Sequence, residues 1–303
     1  MPELPRIGWI GTGVMGCAMA GHLLDAGYNL TVYNRTASKA QPLVDKGAVL
    51  VNSPAEVGAA SDIVFTIVGM PDDVWQVIKG KDGVIHGIKE NGIVCDMTTS
   101  SPLLASAMAH ADKNEKPLVM LDAPVTGGDV GARSGTLSIF VGGTKEGYQT
   151  VLPMLQCMGK KIMYCGTAGM GQHAKMANQV AIAGVMFSVC ESLLYAANAG
   201  LDVRRWHELV SVGAAGSVAM QNLGSRMMDG NYDPGFFIDH FVKDLGLVLE
   251  ECRRMKIVLP GVELADRFYR HMQATGHGKE GTQALIKALA EFSGTEWQAI
   301  APK

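Results

Sequence analysis

Short apolar and β-branched runs alternate with amphipathic segments over the first half of the chain. Buried strands are predicted at residues 7–10, 30–33, 63–68, 93–95 and 119–121, and helices at residues 15–26, 37–46, 71–78 and 102–111. A strand at 137–141, a helix at 145–158 and a strand at 161–165 are predicted to complete this region. Because regular strand–helix alternation requires crossover connections, the pattern predicts a mostly parallel, doubly wound α/β sheet covered on both faces.

The pattern changes after Gly166, where the remaining chain indicates helices only. Residues 172–199 contain no proline and one interior glycine, Gly184. A helix of this length is on the order of 40 Å long, which is more than one small domain needs. We therefore predict two domains, 1–165 with the sheet and 166–303 all-helical, joined by a long interdomain helix.

The composition is typical of a well-buried globular protein. Hydrophobic residues make up 48% of the chain and the formal net charge is −3, which gives no general attraction for nucleic acid. The longest apolar stretch, residues 180–190, is too short to cross a bilayer, and residues 2–5 lead into the first strand without a secretory signal. The six cysteines are scattered with no C-x-x-C pair, so we expect a reducing, cytoplasmic location.

A glycine-rich turn follows the first strand and opens the first helix. It consists of Gly11, Thr12, Gly13, Val14, Met15 and Gly16. In this position Gly11 permits the tight turn, Gly13 lets the backbone approach a pyrophosphate, and Gly16 allows close helix–strand packing. Free N–H groups at the helix start favour phosphate binding. The turn predicts a Rossmann-type dinucleotide site rather than a chance glycine-rich turn.

The end of the second strand is where such a site selects the ribose of its cofactor. NAD sites usually place an acid here, but this chain has Asn34, Arg35 and Thr36. Arg35 can form paired hydrogen bonds to a 2′-phosphate, and Thr36 can add another. We therefore favour NADP, with NAD as the alternative if Arg35 is a solvated surface charge or stacks on adenine.

Three further segments carry candidate chemistry. In the segment 122–128, Thr126 stands beside Gly127 and Gly128, and consecutive backbone N–H groups there suit a carboxylate, although an ordinary strand-to-loop turn fits equally well. In the segment 169–179, Gly171, Lys175 and Asn178 share one helix face, with Gly171 expected to leave room for a ligand. The third segment has Lys243, which is able to reach an anionic substrate or the cofactor, followed by Asp244, which is able to pair with it or cap a helix. For both lysines the alternative is a solvated helix position.

These segments together resemble the β-hydroxyacid dehydrogenase family, which includes 3-hydroxyisobutyrate dehydrogenases, tartronate semialdehyde reductases and glyoxylate/succinic semialdehyde reductases. The resemblance covers essentially the whole chain. It rests on four motifs in order: the N-terminal glycine turn, D-A-P-V-[ST]-G-G at 122–128, G-x-G-x-x-x-K-x-x-N at 169–178, and K-D-L at 243–245. It implies a helical C-terminal domain like that of 6-phosphogluconate dehydrogenase and the interconversion of a small 3-hydroxy acid and its semialdehyde.

The family's roles are carried over to the matching residues of this chain. Lys175 corresponds to the catalytic lysine and Asn178 to the asparagine that orients substrate. Thr126, Gly127 and Gly128 match the loop that binds the substrate carboxylate. Lys243 matches a lysine that closes over substrate and nicotinamide. Positions that line the cofactor or substrate are matched by Val68, Gly69, Met70 and Thr99.

The chain departs from the family pattern at two positions. Many members carry a second asparagine where this chain has Gln179, and a serine where it has Thr126. Both replacements keep hydrogen-bonding capacity, so they leave the reaction class intact but weaken any transfer of substrate identity. The resemblance also implies a homodimer or homotetramer.

Other functions are less consistent with these residues. The eight histidines include no metal-binding helix pair, so we expect no metal. Imine-reducing relatives of this architecture usually lack the lysine present at Lys175, and the relatives that decarboxylate phosphorylated sugars are considerably longer. A non-catalytic cofactor-binding scaffold or redox sensor remains the alternative, against which the Lys175–Asn178 pair argues.

Overall fold

The computed structural model describes residues 4–110, 116–298 and 300. The chain divides into two compact units, Met1–Lys175 and Met176–Lys303. This division does not test the domain boundary predicted at 165/166, which stays a prediction. Position 111 of the helix predicted at 102–111, and positions 2 and 3 of the N-terminal segment, lie outside the described residues.

The described part of the first unit contains a nine-stranded sheet. Its strands are β1 Ile7–Ile10, β2 Leu30–Tyr33, β3 Val49–Leu50, β4 Ile63–Thr66, β5 Ile93–Asp96, β6 Val119–Asp122, β7 Val125–Thr126, β8 Leu137–Gly142 and β9 Gly159–Gly166. The strand order is β3-β2-β1-β4-β5-β6-β8-β7, with β9 also paired to β8. The pairs from β3 to β6 are parallel, whereas β8 is antiparallel to β6 and β7. The sheet is thus mostly parallel, as predicted.

Helices connect these strands. They are α1 Val14–Asp25, α2 Gln41–Val44, α3 Pro54–Ala60, α4 Pro71–Lys79, α5 Pro102–Ala109, α6 Gly128–Ser134 and α7 Lys145–Met158. The single helix predicted at 37–46 is wrong, because a 3-10 turn, Ala37–Ala40, precedes α2 and Pro42 lies in the first turn of α2. The sequence pattern missed α3, although Ser53 caps it through the N–H of Glu56.

Both faces of the sheet are buried. Trp9 and Phe65, from β1 and β4, stack at 5.8 Å in one apolar cluster. Ile10, Val64 and Val94 belong to a second cluster. Because side chains alternate along a strand, successive residues of β1 and β4 fill the two layers in turn. The predicted doubly covered fold class is confirmed.

The second unit is helical. Its helices are α8 Met170–Asn198, which begins in the first unit, α9 Val203–Val210, α10 Ser225–Met228, α11 Ile238–Met255, α12 Pro260–Ala274 and α13 Leu285–Phe292. In the described part of this unit, β structure is limited to one isolated bridge, Phe237 to Gly281. Phe241 packs edge-on against Tyr269 at 4.9 Å in the core. Helix α8 is within two residues of the prediction at both ends.

Helix α8 is long and apolar enough to cross a membrane, judged by length and composition only. Its apolar residues Ala183, Met186, Cys190 and Leu193 are, however, fully buried in the core of the second unit. A core helix passes the same test as a membrane span, so this feature is weak evidence for a membrane location.

Candidate active site

The glycine-rich turn has the geometry that a dinucleotide site requires. Gly11 has φ +98°, and a Cβ there would collide with the carbonyl oxygen of Ile67. A Cβ at Gly16 would collide with the carbonyl oxygen of Gly11, so α1 packs directly onto the turn. At Gly13, in contrast, a Cβ would have no described atom within 4 Å. Two glycines therefore close the turn, and the middle one leaves open space beside the helix start.

Polar contacts hold this turn in place. The N–H of Thr12 donates to Asn34 Oδ1 at 2.9 Å, and Asn34 Nδ2 donates to the Thr36 carbonyl at 2.9 Å. Asn34 thereby connects the turn to the end of β2. The Thr12 hydroxyl is buried and has no hydrogen-bond partner among the described residues. An unpartnered buried hydroxyl beside an open helix start fits the phosphates of a bound dinucleotide. Val14 is exposed and Met15 half-buried at the same helix start.

Arg35 extends from the end of β2. Its side chain is 86% exposed, and its guanidinium lies 3.4 Å from Asp73 Oδ1. Asp73 in turn accepts a hydrogen bond from the Met70 N–H, at the start of α4. An exposed arginine with one weak acidic partner is available for a 2′-phosphate. The same position also suits a solvated surface charge, so both alternatives for Arg35 stay open.

The segment after β4 is tied to the segment after β5. The Val68 N–H donates to Thr98 Oγ1 at 2.9 Å. Gly69 and Met70 follow and lead into α4, and Thr99 is half-buried next to Thr98. The predicted cofactor-lining positions at 68–70 and 99 thus lie on two connected segments at the carboxyl ends of neighbouring parallel strands.

The candidate carboxylate loop leads into α6. Thr126 pairs with Ser138 across β7 and β8, Gly127 has φ +130° and Gly128 has φ +64°. Nothing lies within 4 Å of a Cβ built at Gly128. Both glycines are exposed. The positive φ angles turn the backbone sharply at an accessible helix start, which suits an anion but also an ordinary turn, as the sequence left open.

Buried polar residues end the three central strands. Thr66 ends β4, Asp96 ends β5 and Asp122 ends β6; Thr66 Oγ1 donates to Asp96 Oδ1 at 2.8 Å. Burial raises the pKa of Asp96 to about 6, opposed by hydrogen bonds from Thr98 and Thr66. Burial also raises the pKa of Asp122, although N–H groups of Gly169 and Gln172 donate to it.

Gln172 connects the start of α8 to the segment after β5. Its side-chain Oε1 accepts from the Ser100 N–H at 2.9 Å, and its Nε2 donates to the Thr98 carbonyl at 2.7 Å. The Gln172 main-chain N–H donates to Asp122 Oδ2 at 2.8 Å. The first turn of α8 is therefore fixed to the ends of β5 and β6.

The expectation that Gly171 leaves room for a ligand is wrong. A Cβ at Gly171 would lie 2.6 Å from the carbonyl oxygens of Asp122 and Phe140. The space that a side chain would take is occupied by main chain of the sheet, so this glycine serves close packing of α8 onto β6 and β8.

Lys175 and Asn178 lie three residues apart on α8. Lys175 is 7% exposed, which excludes the alternative of a solvated helix position, whereas Asn178 is half-buried. The burial expected from the neighbouring residues is uneven, since Met176 is buried and Ala177 exposed. A lysine ammonium at a buried helix position requires hydrogen-bonding or anionic neighbours.

Lys243 lies inside α11 and not before its first turn, because the helix begins at Ile238. Its side chain is 9% exposed, and its Nζ is 3.0 Å from Asp244 Oδ1. This separation makes an ion pair. The alternative of a solvated helix start is wrong, and Asp244 pairs with Lys243 without capping the helix.

Several residues of the site were not singled out from the sequence. They are Asp73, Asp96, Thr98, Asp122 and Gln172. The sequence does show that the three buried strands β4, β5 and β6 each end on a polar residue. Burying a polar side chain costs free energy unless it has hydrogen-bond partners, so this pattern could have identified some of them. Among the described residues, no group of three or more His, Cys, Asp or Glu side chains is arranged to hold a metal ion.

Two family models match the chain. Residues 6–166 match the NAD binding domain of 6-phosphogluconate dehydrogenase. Residues 169–289 match the NAD-binding domain of NADP-dependent 3-hydroxyisobutyrate dehydrogenase. The two matches together span most of both compact units and include all the candidate site residues described above.

Similar proteins agree with these models. A probable 3-hydroxyisobutyrate dehydrogenase-like protein of Arabidopsis thaliana, named as mitochondrial, is 48% identical over 98% of this chain and 89% of its own. The 2-hydroxy-3-oxopropionate reductase of Escherichia coli is 36% identical over 94% of this chain and 97% of its own. The crystal structure of a 3-hydroxyisobutyrate dehydrogenase from Salmonella typhimurium is 30% identical, covers 93% of this chain and 99% of its own, and superposes with a TM-score of 0.84. The chain therefore belongs to the β-hydroxyacid dehydrogenase family of nicotinamide-dependent oxidoreductases.

Proposed function

We propose that this enzyme interconverts a small 3-hydroxy acid and its semialdehyde, with NADP(H) preferred over NAD(H) and Lys175 as the proton-transfer residue. The observation that carries the proposal is that Lys175 is buried about one turn after the start of α8, and that this start is hydrogen-bonded to the sheet. Asp122 and Gln172 fix that turn, and the glycine-rich nucleotide turn lies on the same sheet. A buried amine on a helix whose first turn is fixed in this way is suited to acid–base chemistry.

Each candidate residue has a separate role in this proposal. When bound, the nicotinamide cofactor supplies or accepts the hydride. Thr126, Gly127 and Gly128 bind the substrate carboxylate through the hydroxyl and main-chain N–H groups. In the reducing direction the Lys175 ammonium stabilises the developing alkoxide and then donates its proton to it; in oxidation the neutral amine accepts the hydroxyl proton. Asn178 orients the reacting oxygen, and Lys243 adds positive charge for an anionic substrate.

The preference for NADP rests on Arg35. No acid stands at the end of β2 to accept from a ribose 2′-hydroxyl, and the exposed guanidinium suits a 2′-phosphate. Asn34 is engaged with Thr12 and Thr36, which leaves Arg35 and the Thr36 hydroxyl as the ribose-facing groups.

Self-association and location are further parts of the proposal. Large apolar side chains are exposed on the helical unit, including Tyr195, Leu209 and Val212, which supports a homodimer or homotetramer. All six cysteines are free, which is compatible with a reducing cytoplasmic compartment. Light scattering of the purified protein measures the oligomeric state directly.

The test is NADPH consumption, with NADH in parallel, against methylmalonate, tartronate and succinic semialdehydes and glyoxylate. We expect turnover of methylmalonate or tartronate semialdehyde, whose reduction gives a 3-hydroxy acid, and a higher kcat/KM with NADPH than with NADH. Turnover of succinic semialdehyde or glyoxylate alone, which give a 4-hydroxy and a 2-hydroxy acid, would contradict the 3-hydroxy acid while keeping the reductase reaction. Tight NADPH binding without turnover of any of them would contradict the proposed reaction and favour a non-catalytic cofactor-binding protein.

A further inference from the structure

A chain of four polar side chains runs between α8 and α11 within the helical unit. Asn178 Nδ2 donates to Gln179 Oε1 at 2.8 Å, and Gln179 Nε2 donates to Asp244 Oδ2 at 2.6 Å. The other oxygen of Asp244 is 3.0 Å from Lys243 Nζ. Two residues with proposed roles in substrate binding, Asn178 and Lys243, are thus the two ends of one network.

The middle of this network is buried in the apolar core. Gln179 is 1% exposed and Asp244 0%, and the neighbouring Phe241, Val242 and Leu245 are core residues. A buried carboxylate and a buried amide are stable there only if their hydrogen bonds are made. Gln179 uses both ends of its amide for this purpose.

The charge of Asp244 determines which way each amide points. An ionised carboxylate only accepts, so the Gln179 atom facing it has to be Nε2. Oε1 then faces Asn178 and requires a donor, which has to be Asn178 Nδ2. The Asn178 carbonyl oxygen is consequently directed away from Gln179. One buried charge therefore fixes the orientation of an amide two residues further along the network.

We propose that Gln179 is a positioning residue for the reaction. It fixes the orientation of the Asn178 amide, and through Asp244 it holds the ion pair of Lys243. Gln179 also lies four residues after Lys175, on the same face of α8. This inference rests on the proposed function, since the roles of Asn178 and Lys243 belong to it.

Gln179 has two effects in this proposal, on the orientation of the Asn178 amide and on the ion pair of Lys243. They can be separated by moving the negative charge from position 244 to position 179. The variants are Gln179→Glu, Asp244→Asn and the double variant. In Gln179→Glu two carboxylates face each other, and their repulsion moves the acceptor of the Asn178 amide away from the position it has beside Asp244. In the double variant the amide introduced at position 244 can donate to the carboxylate introduced at position 179. That carboxylate still accepts from Asn178, whereas the negative charge is further from Lys243.

We expect Gln179→Glu to lower kcat by about 10- to 100-fold with unchanged NADPH binding. The double variant should recover kcat at least tenfold over that single variant, while its substrate KM stays raised as in Asp244→Asn. A residue with a purely structural role would not separate kcat from KM in this way. If Gln179→Glu fails to fold, the double variant should still match or exceed the kcat of Asp244→Asn.

A matched control is Gln283→Glu. Gln283 is another buried glutamine of the helical unit, which donates to the carbonyl oxygens of Asn231 and Asp233. Its variant should lower the unfolding midpoint but leave kcat within about twofold of wild type. If the fold loss in kcat of the double variant equals the product of the losses of the two single variants, the inference is overturned and the proposed function is unaffected. Wild-type protein inactive on every semialdehyde overturns the proposed function and the inference with it.

Discussion

Asp122 Oδ2 accepts a hydrogen bond from the main-chain N–H of Gln172 at 2.8 Å. Its other oxygen accepts from the Gly169 N–H at 2.7 Å, so one carboxylate at the end of β6 holds the beginning of α8. Carboxylates are favourable partners for the free N–H groups of a helix start. The position of Lys175, less than one turn after Gln172, is therefore set by a strand–helix junction.

The closeness of this junction can be tested with two glycines of the same helix. Gly171→Ala places a methyl group against two main-chain carbonyls of the sheet, and we expect it to destabilise the protein by about 1–3 kcal/mol and to lower kcat. Gly184→Ala is the control, because this exposed helix position has open space and alanine favours helix by about 0.5–1 kcal/mol. Urea unfolding measures both. Equal stabilities of the two variants would contradict the packing role of Gly171.

Replacement of Lys175 tests the proton-transfer role. Lys175→Met keeps most of the side-chain volume but removes the amine, so kcat should fall by about 10²- to 10⁴-fold. NADPH affinity, measured by fluorescence titration, should change little, because the nucleotide turn is formed by other residues. Lys161→Met, at an exposed position of β9, is the matched control and should keep wild-type kcat. Near-normal turnover by Lys175→Met would show that another residue transfers the proton.

Arg35 and Asp73 allow the cofactor preference to be changed in both directions. Arg35→Ala removes the guanidinium and should lower kcat/KM for NADPH by about 10- to 100-fold, with little effect on NADH. Asp73→Asn removes the competing charge while its amide oxygen can still accept from Met70, so KM for NADPH should fall more than KM for NADH. Parallel shifts with both cofactors would assign Arg35 to adenine stacking, and no shift with either cofactor would assign it to the solvated surface.

The buried carboxyl group of Asp96 predicts a pH dependence of stability. Its pKa is raised to about 6, above the value of about 4 expected in the unfolded chain. Between these values the folded state holds a proton that the unfolded state has lost, so this group's contribution falls as pH rises, by about 3 kcal/mol in total. Asp96→Asn removes this dependence. The variant should therefore gain stability relative to wild type between about pH 4.5 and pH 7.

Asp62→Asn is the control for this titration, since its shift has the opposite sign. Hydrogen bonds from Arg6 and Lys89 hold the pKa of Asp62 well below its usual range. Above about pH 5 the Asp62 carboxyl is therefore ionised in both the folded and the unfolded protein. The difference in unfolding free energy caused by Asp62→Asn should then be constant from about pH 5 to pH 7.5. A constant difference for Asp96→Asn over the same range would contradict the raised pKa.

The sequence predicted most of the elements because their signals are local. The alternation of apolar runs and amphipathic segments identified the central parallel strands β1, β2, β4, β5 and β6, and the proline-free segment identified α8 to within two residues. Elements with weak local signals were missed. These were the two-residue strands β3 and β7 and the short helices α3 and α6, whose apolar surface is too small to give a periodic pattern.

Motif order and spacing are properties of the chain, so they were enough to identify the family and to name the glycine-rich turn and the two lysines as candidates. Contacts in the folded chain show that Gly171 is packed against main chain, that Lys243 lies within a helix, and that Gln179 joins Asn178 to Asp244. The glycine packing and the link to Asp244 depend on contacts between residues that are far apart along the chain. Packing decides which group fills the space beside a glycine and which partner completes a buried hydrogen bond. Neither can be deduced from the local sequence.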